Sequence, residues 1–455
     1  MPNLTQLRLA TREIFNETLR AVDAGAAVRH AVQFEDSRLS VCDEVIELSA
    51  QQSVYAIAIG KAGFAMAAAL EEILGERLTA GVRSSNAPGY GTARGSERVE
   101  AAQVANLRYK IFQGGHPEPN DQSLAAAQAC FDLLERADDE LALVIFLISG
   151  GGSAMIEWPI SDDITLADLR VANKALVNCG ASIGEINAVR RAFSAVKGGR
   201  LAVRAPRCDQ ATLIVSDVPA GEERIVASGP SIAPATDAPD ARDVIGKYDL
   251  RAHLPETVIR TIDTAPTAPR PIDPTSLRKH FVLLDNQSAL TAAAEAARRH
   301  GFAVEIAAEI STQPIDDGCL ALLERTSQLR ERARGTESNT NAVCLISGGE
   351  FACPARGTGI GGRNLETALR LAMSSNCEQF VALCAGTDGI DGNSPAAGAM
   401  VDNTTIERAR AIGLDPQDFL KRSDAYSFFV ALGDVVATGP TGTNVRDIRI
   451  LLATV

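Results

Sequence analysis

The stretch VYAIAIGKAGFAMAAALEEIL (54–74) sets the pattern for most of this 455-residue chain: a short strand, a glycine turn, then a helix. The same order recurs in KIFQGGHPEPNDQSLAAAQACFDLLERA (110–137) and in LALVIFLISGGGSAM (141–155), and ATLIVSDVPAG (211–221) adds a fourth strand. Strands that are apolar throughout, alternating with helices, predict a parallel sheet covered on both faces. The first fifty residues read instead as helical, with Leu7, Ala10, Ile14 and Leu19 at helical spacing.

Residues 266–274, PTAPRPIDP, hold four prolines in nine positions. Proline fixes φ and lacks a donor, so this density predicts a linker. Strand–helix alternation then restarts in HFVLLDNQSALTAAAEAARRHGFAVEIA (280–307), NAVCLISGGE (341–350) and QFVALCAGTDGIDG (379–392). The expected architecture is α/β, with two α/β domains whose largely parallel sheets are flanked by helices. A Rossmann-like N-terminal domain would span 1–265, the linker 266–274, and a C-terminal α/β domain 275–455.

Hydrophobic residues make up 46% of the chain and charged ones 22%, ordinary for a globular enzyme. A net charge of -13 argues against non-specific nucleic-acid binding, which needs a basic surface. An anionic small substrate remains compatible, because a local pocket can oppose the global charge. Nine cysteines form no C-x-x-C pair, and several sit in apolar runs, which points to a reducing, cytoplasmic compartment. The N-terminal MPNLTQLRLATREIF carries charges where a signal peptide needs an apolar core. The longest strongly apolar run, LALVIFLI (141–148), falls far short of a membrane helix, so no membrane partner is expected.

LISGG occurs twice, at 147–151 and 345–349, once in each expected domain. In an open parallel sheet, ligands bind beyond the carboxyl ends of the strands. The loops expected there are AIGKAG, GGHPEP, SGGGSA, SDVPAG, SGGEF, AGTDGIDG and TGPTGTN, carrying Lys61, His116, Asp217 and Asp388, with Arg363 just beyond. Glycine lets backbone N–H groups converge on an anion, and a following helix N-terminus adds partial positive charge. Any one such loop is equally well explained as a tight turn; the set together points to a polyanion site.

No G-x-x-x-x-G-K-[ST] is present, which excludes a P-loop nucleotidase. GTGIGG (357–362) satisfies G-x-G-x-x-G, but CPARG precedes it where a buried strand should, and Asp388 is poorly placed for the ribose acid. Lys61 is flanked by Gly60 and Gly63, which leaves it the one functional side chain of a bare turn. Arg363 follows GIGG and opens a helix, where a guanidinium can grip phosphate with two prongs. SIGEINAVRRAFSAVKGGRLAVRA (182–205) reads as a basic helix opened by a Ser182–Glu185 capping box. Arg190 and Lys197, seven apart, would share a face, either as a solvated cationic surface or as a clamp for carboxylate or phosphate. Trp158 and AYSFFVAL (425–432) are expected in the core.

Taken together, GKAGFAMA (60–67), GGHPEPN (114–120), SGGGSAMIEWP (149–159), INAVRRAFSAVKGGRLA (186–202), SDVPAGEERIVASGPS (216–231), LISGGE (345–350), GGRNLE (361–366), AGTDGIDG (385–392) and TGPTGTNVRDIRILL (438–452) resemble the class II glycerate kinases, or glycerate 2-kinases, with a C-terminal MOFRL domain. The resemblance runs nearly end to end. It implies transfer of the γ-phosphate of ATP, with Mg²⁺, to the 2-hydroxyl of D-glycerate in a cleft between two α/β domains. The family's catalytic lysine and arginine fall on Lys61 and Arg363. On this reading Gly150, Gly151, Gly152, Ser153, Arg190, Lys197, Gly348, Gly349, Glu350 and Asn364 bind substrate or phosphates, and Asp217 and Asp388 are the oxygen ligands of Mg²⁺.

Departures from the family pattern fall at Ile360, Leu365, Glu222 and Pro395, where arginine, glutamine, aspartate and aspartate are usual. They bear on substrate identity and nucleotide preference. The rival readings are an NAD(P)H-dependent hydroxypyruvate reductase, supported by GTGIGG alone, a kinase of a related small sugar acid, and a non-catalytic metabolite-binding protein. Homo-oligomerisation is left open.

Overall fold

A computed structural model describes residues 2–85, 108–264, 276–335, 341–375 and 379–455. The chain forms two compact units: a central unit, Ala24–Leu283, and a split unit combining Met1–Asp23 with Leu284–Val455. The chain thus passes between units at two points, near 23 and near 283, rather than once within 266–274, which lies outside the described residues.

Helices Leu4–Ala21 and Ala24–Ala31 bear out the helical start, but the helical reading fails beyond residue 31. There β1 (Val32–Glu35), β2 (Arg38–Val41) and β3 (Glu44–Glu47) form an antiparallel meander. β2 buries every second residue, Leu39 and Val41, and Asp36 and Cys42, both at positive φ, make the reversals.

The central unit is built on β4 (Val54–Ile59), β5 (Leu78–Ser85), β6 (Tyr109–Gln113), β7 (Leu143–Ser149), β8 (Asp209–Val215) and β9 (Arg278–Leu284), in the order β6-β5-β4-β7-β8-β9. The pairs β4/β5, β4/β7, β5/β6 and β7/β8 are all parallel. Every residue of β4 and β7 is buried, which explains their unbroken apolar pattern. β9, which the sequence assigned to the second domain, completes this sheet instead.

The split unit has the sheet order β10-β11-β15-β12-β13-β14, from β10 (Ala303–Ile306), β11 (Ala342–Gly349), β12 (Phe380–Gly386), β13 (Gly398–Asp402), β14 (Val435–Val436) and β15 (Asp447–Thr454). Here the expectation of a largely parallel sheet is corrected. Only β10/β11 is parallel; β15 runs antiparallel between β11 and β12, and β13 and β14 add antiparallel pairs. A strand buried on both faces, as β15 is throughout, has no alternation to reveal its direction. Its reversed course matters for the site: Asp447, its first residue, lies opposite Gly349 and Gly386, at the carboxyl ends of β11 and β12.

The helix Leu4–Ala21 packs on this sheet through Leu7, Ile14 and Phe15, which share a core with Leu290, Ile448 and Ile450. Arg8 fastens it further, pairing with Asp402 and, at 2.6 Å, with Asp434. Among the described residues, no helix is long and apolar enough to cross a membrane.

Candidate functional site

In the central unit, the exits of β4 and β7 are stitched together. Gly60, at φ +115, lies so close to Ser149 that a Cβ would sit 2.3 Å from its oxygens. The next two residues bond across: Lys61 N donates to the Gly150 carbonyl at 2.9 Å, and Ala62 N to Ser149 Oγ at 3.0 Å. A methyl on Gly150 would meet Asp217 Oδ2 at 2.0 Å. One on Gly151, at φ +78, would meet the His116 ring at 3.1 Å and Lys61 Cγ at 3.2 Å. Lys61, His116, Asp217 and the 150–152 glycines therefore gather at the carboxyl ends of β4, β6, β7 and β8, as the loop pattern predicts. The short helix Gly152–Met155 opens here without a side-chain cap.

Ser153 is held from two sides. Its carbonyl accepts from Lys197 Nζ at 2.8 Å, and its hydroxyl lies 2.8 Å from that of Ser228, which donates to Asn187 Oδ1 at 2.8 Å. Ala227 and Ser228 both take positive φ, a costly conformation for non-glycine residues that is kept where the surroundings over-determine it.

The expected shared face of Arg190 and Lys197 does not form, because the helix is Ile183–Phe193 and Ser194 turns extended. The two cations meet by another route. Lys197 is buried and pairs with Glu157, which also accepts from the Ser194 hydroxyl and, at 3.0 Å, from Trp158 N. Arg190 donates to Asn173 Oδ1 at 2.9 Å and feels the Glu157 charge. Burial pulls the pKa of both cations down, and Glu157 opposes the pull. Lys197 is thus a strut beneath the Ser153 loop rather than an exposed clamp. Sequence reasoning missed Glu157, since a carboxylate in MIEWP carries no spacing signal.

At the edge of the split unit, Arg363 opens the helix Arg363–Ser374. Its Nε lies 2.6 Å from Asp447 Oδ2, and its Nη2 lies 2.7 Å from Glu350 and 3.4 Å from Asp447 Oδ1. Burial works against its charge, but Asp447 and Glu350 outweigh that, and its pKa is raised. Asn364 and Leu365 donate backbone N–H groups to Asp391 at 3.1 and 2.8 Å, and Asn364 Nδ2 donates to it at 3.2 Å. Asp391 therefore caps the helix from a distant loop, and Asn364 is committed to it. Burial pushes the Asp391 carboxyl up to about 7 against the pull of these donors.

The second LISGG loop does not copy the first. Gly349 N donates to Asn286 Oδ1 at 2.9 Å, so that N–H is already bonded within the protein. Beneath it, fully buried Arg449 donates to Ser347 Oγ at 3.2 Å and to the Gly348 and Gly349 carbonyls, with its guanidinium 3.5 Å from the centre of the Phe351 ring.

Asp388 lies beside this edge; a methyl on Gly386 would sit 3.1 Å from Asp388 Oδ1 and 3.6 Å from Asp447 Oδ1. Asp217 and Asp388 belong to different units. Among the described residues, no group of three or more His, Cys, Asp or Glu is arranged to hold a metal ion. Taken singly, each of the two aspartates is still an oxygen donor of the kind Mg²⁺ accepts, since that ion takes one or two carboxylates and completes its shell with phosphate and water.

The GTGIGG glycines serve packing. Methyls on Gly357 and Gly359 would lie 2.4 and 2.7 Å from the Arg422 carbonyl, so this segment is pressed on the 422–424 turn. Of the departures, Leu365 is fully buried in the core, whereas Ile360, Glu222 and Pro395 are exposed.

Each of the two α/β units thus presents a cation at a glycine-lined strand edge, Lys61 in one and Arg363 in the other. Residues 10–263 match a family described as a domain of unknown function, DUF4147, and residues 343–447 match the MOFRL family. A glycerate 2-kinase from Pyrococcus horikoshii is 33% identical over 447 residues, spanning 97% of this chain and 96% of its own. A crystal structure of a glycerate kinase from Thermotoga maritima superposes with a TM-score of 0.77 at 30% identity, covering 99% of this chain and 100% of the other. A protein from Agrobacterium vitis, 37% identical over 87% of this chain and 98% of its own, bears a provisional hydroxypyruvate reductase name. The chain belongs to the glycerate 2-kinase family.

Proposed function

We propose that the protein transfers the γ-phosphoryl group of ATP to the 2-hydroxyl of D-glycerate, giving 2-phosphoglycerate, with Mg²⁺ as cofactor. The observation that carries this reading is the pair of edge cations: Lys61 beside the Gly150–Asp217 contact, and Arg363 anchored but a third exposed. Phosphoryl transfer through a loose transition state needs alignment and charge neutralisation more than covalent help. Lys61 places a point charge beside the glycine loop. Arg363 offers a planar fork that can follow charge as it moves between phosphate oxygens. Mg²⁺, with Asp217 or Asp388 as an oxygen ligand, would neutralise phosphate charge. The 150–153 loop, braced by Lys197 and Ser228, orients its ligand without rearranging.

The experiment combines product analysis with two substitutions. ADP should form in proportion to glycerate consumed, and phosphorus NMR should identify the 2-phosphate. Lys61→Ala and Arg363→Ala should each lower kcat by roughly two to three powers of ten, with much smaller changes in KM. Arg363→Lys should be nearly as damaging as Arg363→Ala. Hydride transfer from NAD(P)H to hydroxypyruvate without ADP, or near-normal turnover in these variants, would refute the reading.

A further inference from the structure

We infer that Asp447 is the residue that positions Arg363, presenting one edge of its guanidinium to the transferring phosphoryl group; this rests on the catalytic assignment of Arg363 above. Asp447 opens β15 and is delivered to the ligand edge only because that strand runs antiparallel between β11 and β12. Its side chain is 3% exposed, and both carboxylate oxygens lie on Arg363, Oδ2 at 2.6 Å from Nε and Oδ1 at 3.4 Å from Nη2. The Asp447 main-chain oxygen accepts from Asn286 Nδ2 at 3.1 Å, and the same Asn286 binds Gly349 N. The backbone that carries the carboxylate is therefore tied to the sheet and, through Asn286, to the glycine turn.

The contacts of Arg363 are unevenly spread. The close contacts to Asp447 and Glu350 run through Nε and Nη2. An arginine side chain is flexible, and a carboxylate that grips one edge of the fork leaves the other aimed outward. Of the two carboxylates on Arg363, Asp447 is the buried one, 3% exposed against 34% for Glu350. Asp447 cannot leave without burying an unpaired charge. For the same reason it is a poor metal ligand: both its oxygens are engaged and water scarcely reaches them.

A carboxylate that merely offset the burial of Arg363 would affect stability but not turnover specifically. The test is a kinetic cycle on the full chain with Asp447→Ala, Arg363→Ala and the double variant, alongside Asp447→Asn. Asp447→Asn keeps the size and one acceptor, and so covers the case in which the alanine variant folds poorly.

Asp447→Ala should lower kcat about 10- to 100-fold, the scale of a misplaced catalytic group, with KM for both substrates within about threefold. Asp447→Asn should fall between it and wild type. In the Arg363→Ala background, removing Asp447 should cost less than about threefold more, since no fork is left to aim. Losses that multiply, or Asp447 variants that lower the melting temperature while kcat holds, would overturn the positioning role and leave catalysis by Arg363 intact. An Arg363→Ala enzyme of normal kcat would overturn both.

Discussion

Lys197→Met cuts the buried strut under the Ser153 loop while keeping nearly its length. The variant strands Glu157, whose side chain is 2% exposed, and leaves the Ser153 carbonyl without its 2.8 Å donor. Removing one partner of a buried ion pair costs about 3–5 kcal/mol. Arg190 still acts on Glu157, so the lower end, about 3 kcal/mol, is expected. For a unit of this size that is a fall of roughly 6–12 °C in melting temperature. The chain's one tryptophan, Trp158, donates its backbone N–H to Glu157 and packs edge-on against Phe131, so its fluorescence reports on the affected region. Urea unfolding followed by Trp158 emission is therefore the assay. In Lys197→Met/Glu157→Gln both charges are gone and the amide still accepts from Ser194, so at least half of the lost stability should return. A single-variant cost below about 1 kcal/mol, or a double variant as costly as two independent losses, would refute the view of Lys197 as a paired strut.

Asp391, near 7 when folded and about 3.9 when unfolded, binds its proton more tightly in the native state. Its contribution to stability is full below about pH 4 and is lost as pH rises through about 7. Wild type should therefore lose stability relative to Asp391→Asn between about pH 4 and 7, by up to about 1.4 kcal/mol per pH unit; parallel denaturation profiles would refute this. Gly150→Ala would place a methyl 2.0 Å from Asp217 Oδ2 and drive that carboxylate off the loop. Kinase activity should fall at least about tenfold for a stability cost of about 1–3 kcal/mol, and an unimpaired enzyme would remove Asp217 from the site.

Much of this was legible in the residue order. The parallel sheet of the central unit follows from its apolar strands, and Lys61, Asp217 and the first glycine loop lie where the alternation put them. The failures have physical causes. β15 is buried on both faces and carries no directional signal, so Asp447 looked like one more charge in NVRDIRI. The 182–205 segment has helical periodicity throughout, yet the helix stops at Phe193, where Ser194 turns extended, and the left-handed Gly198 and Gly199 bend the chain again beyond that stop. Asp391 and Glu157 act across long stretches of chain, Asp391 on the helix N-terminus at 364–365 and Glu157 on Lys197, and no local pattern encodes such a partner.

The place of β15 in its sheet also orders events during synthesis. All six strands of the central sheet leave the ribosome before any strand of the split unit's sheet is made. β11 and β12, by contrast, have no common neighbour until β15 emerges after both of them. The helix Leu4–Ala21 is made first, yet the surface that covers Leu7, Ile14 and Phe15 includes Ile448 and Ile450. Its apolar face finds a first partner only in the helix Asn286–Arg299, and is fully covered only once the last strand is made. That makes the leading helix, rather than any part of the central unit, the segment of a nascent chain most in need of a chaperone.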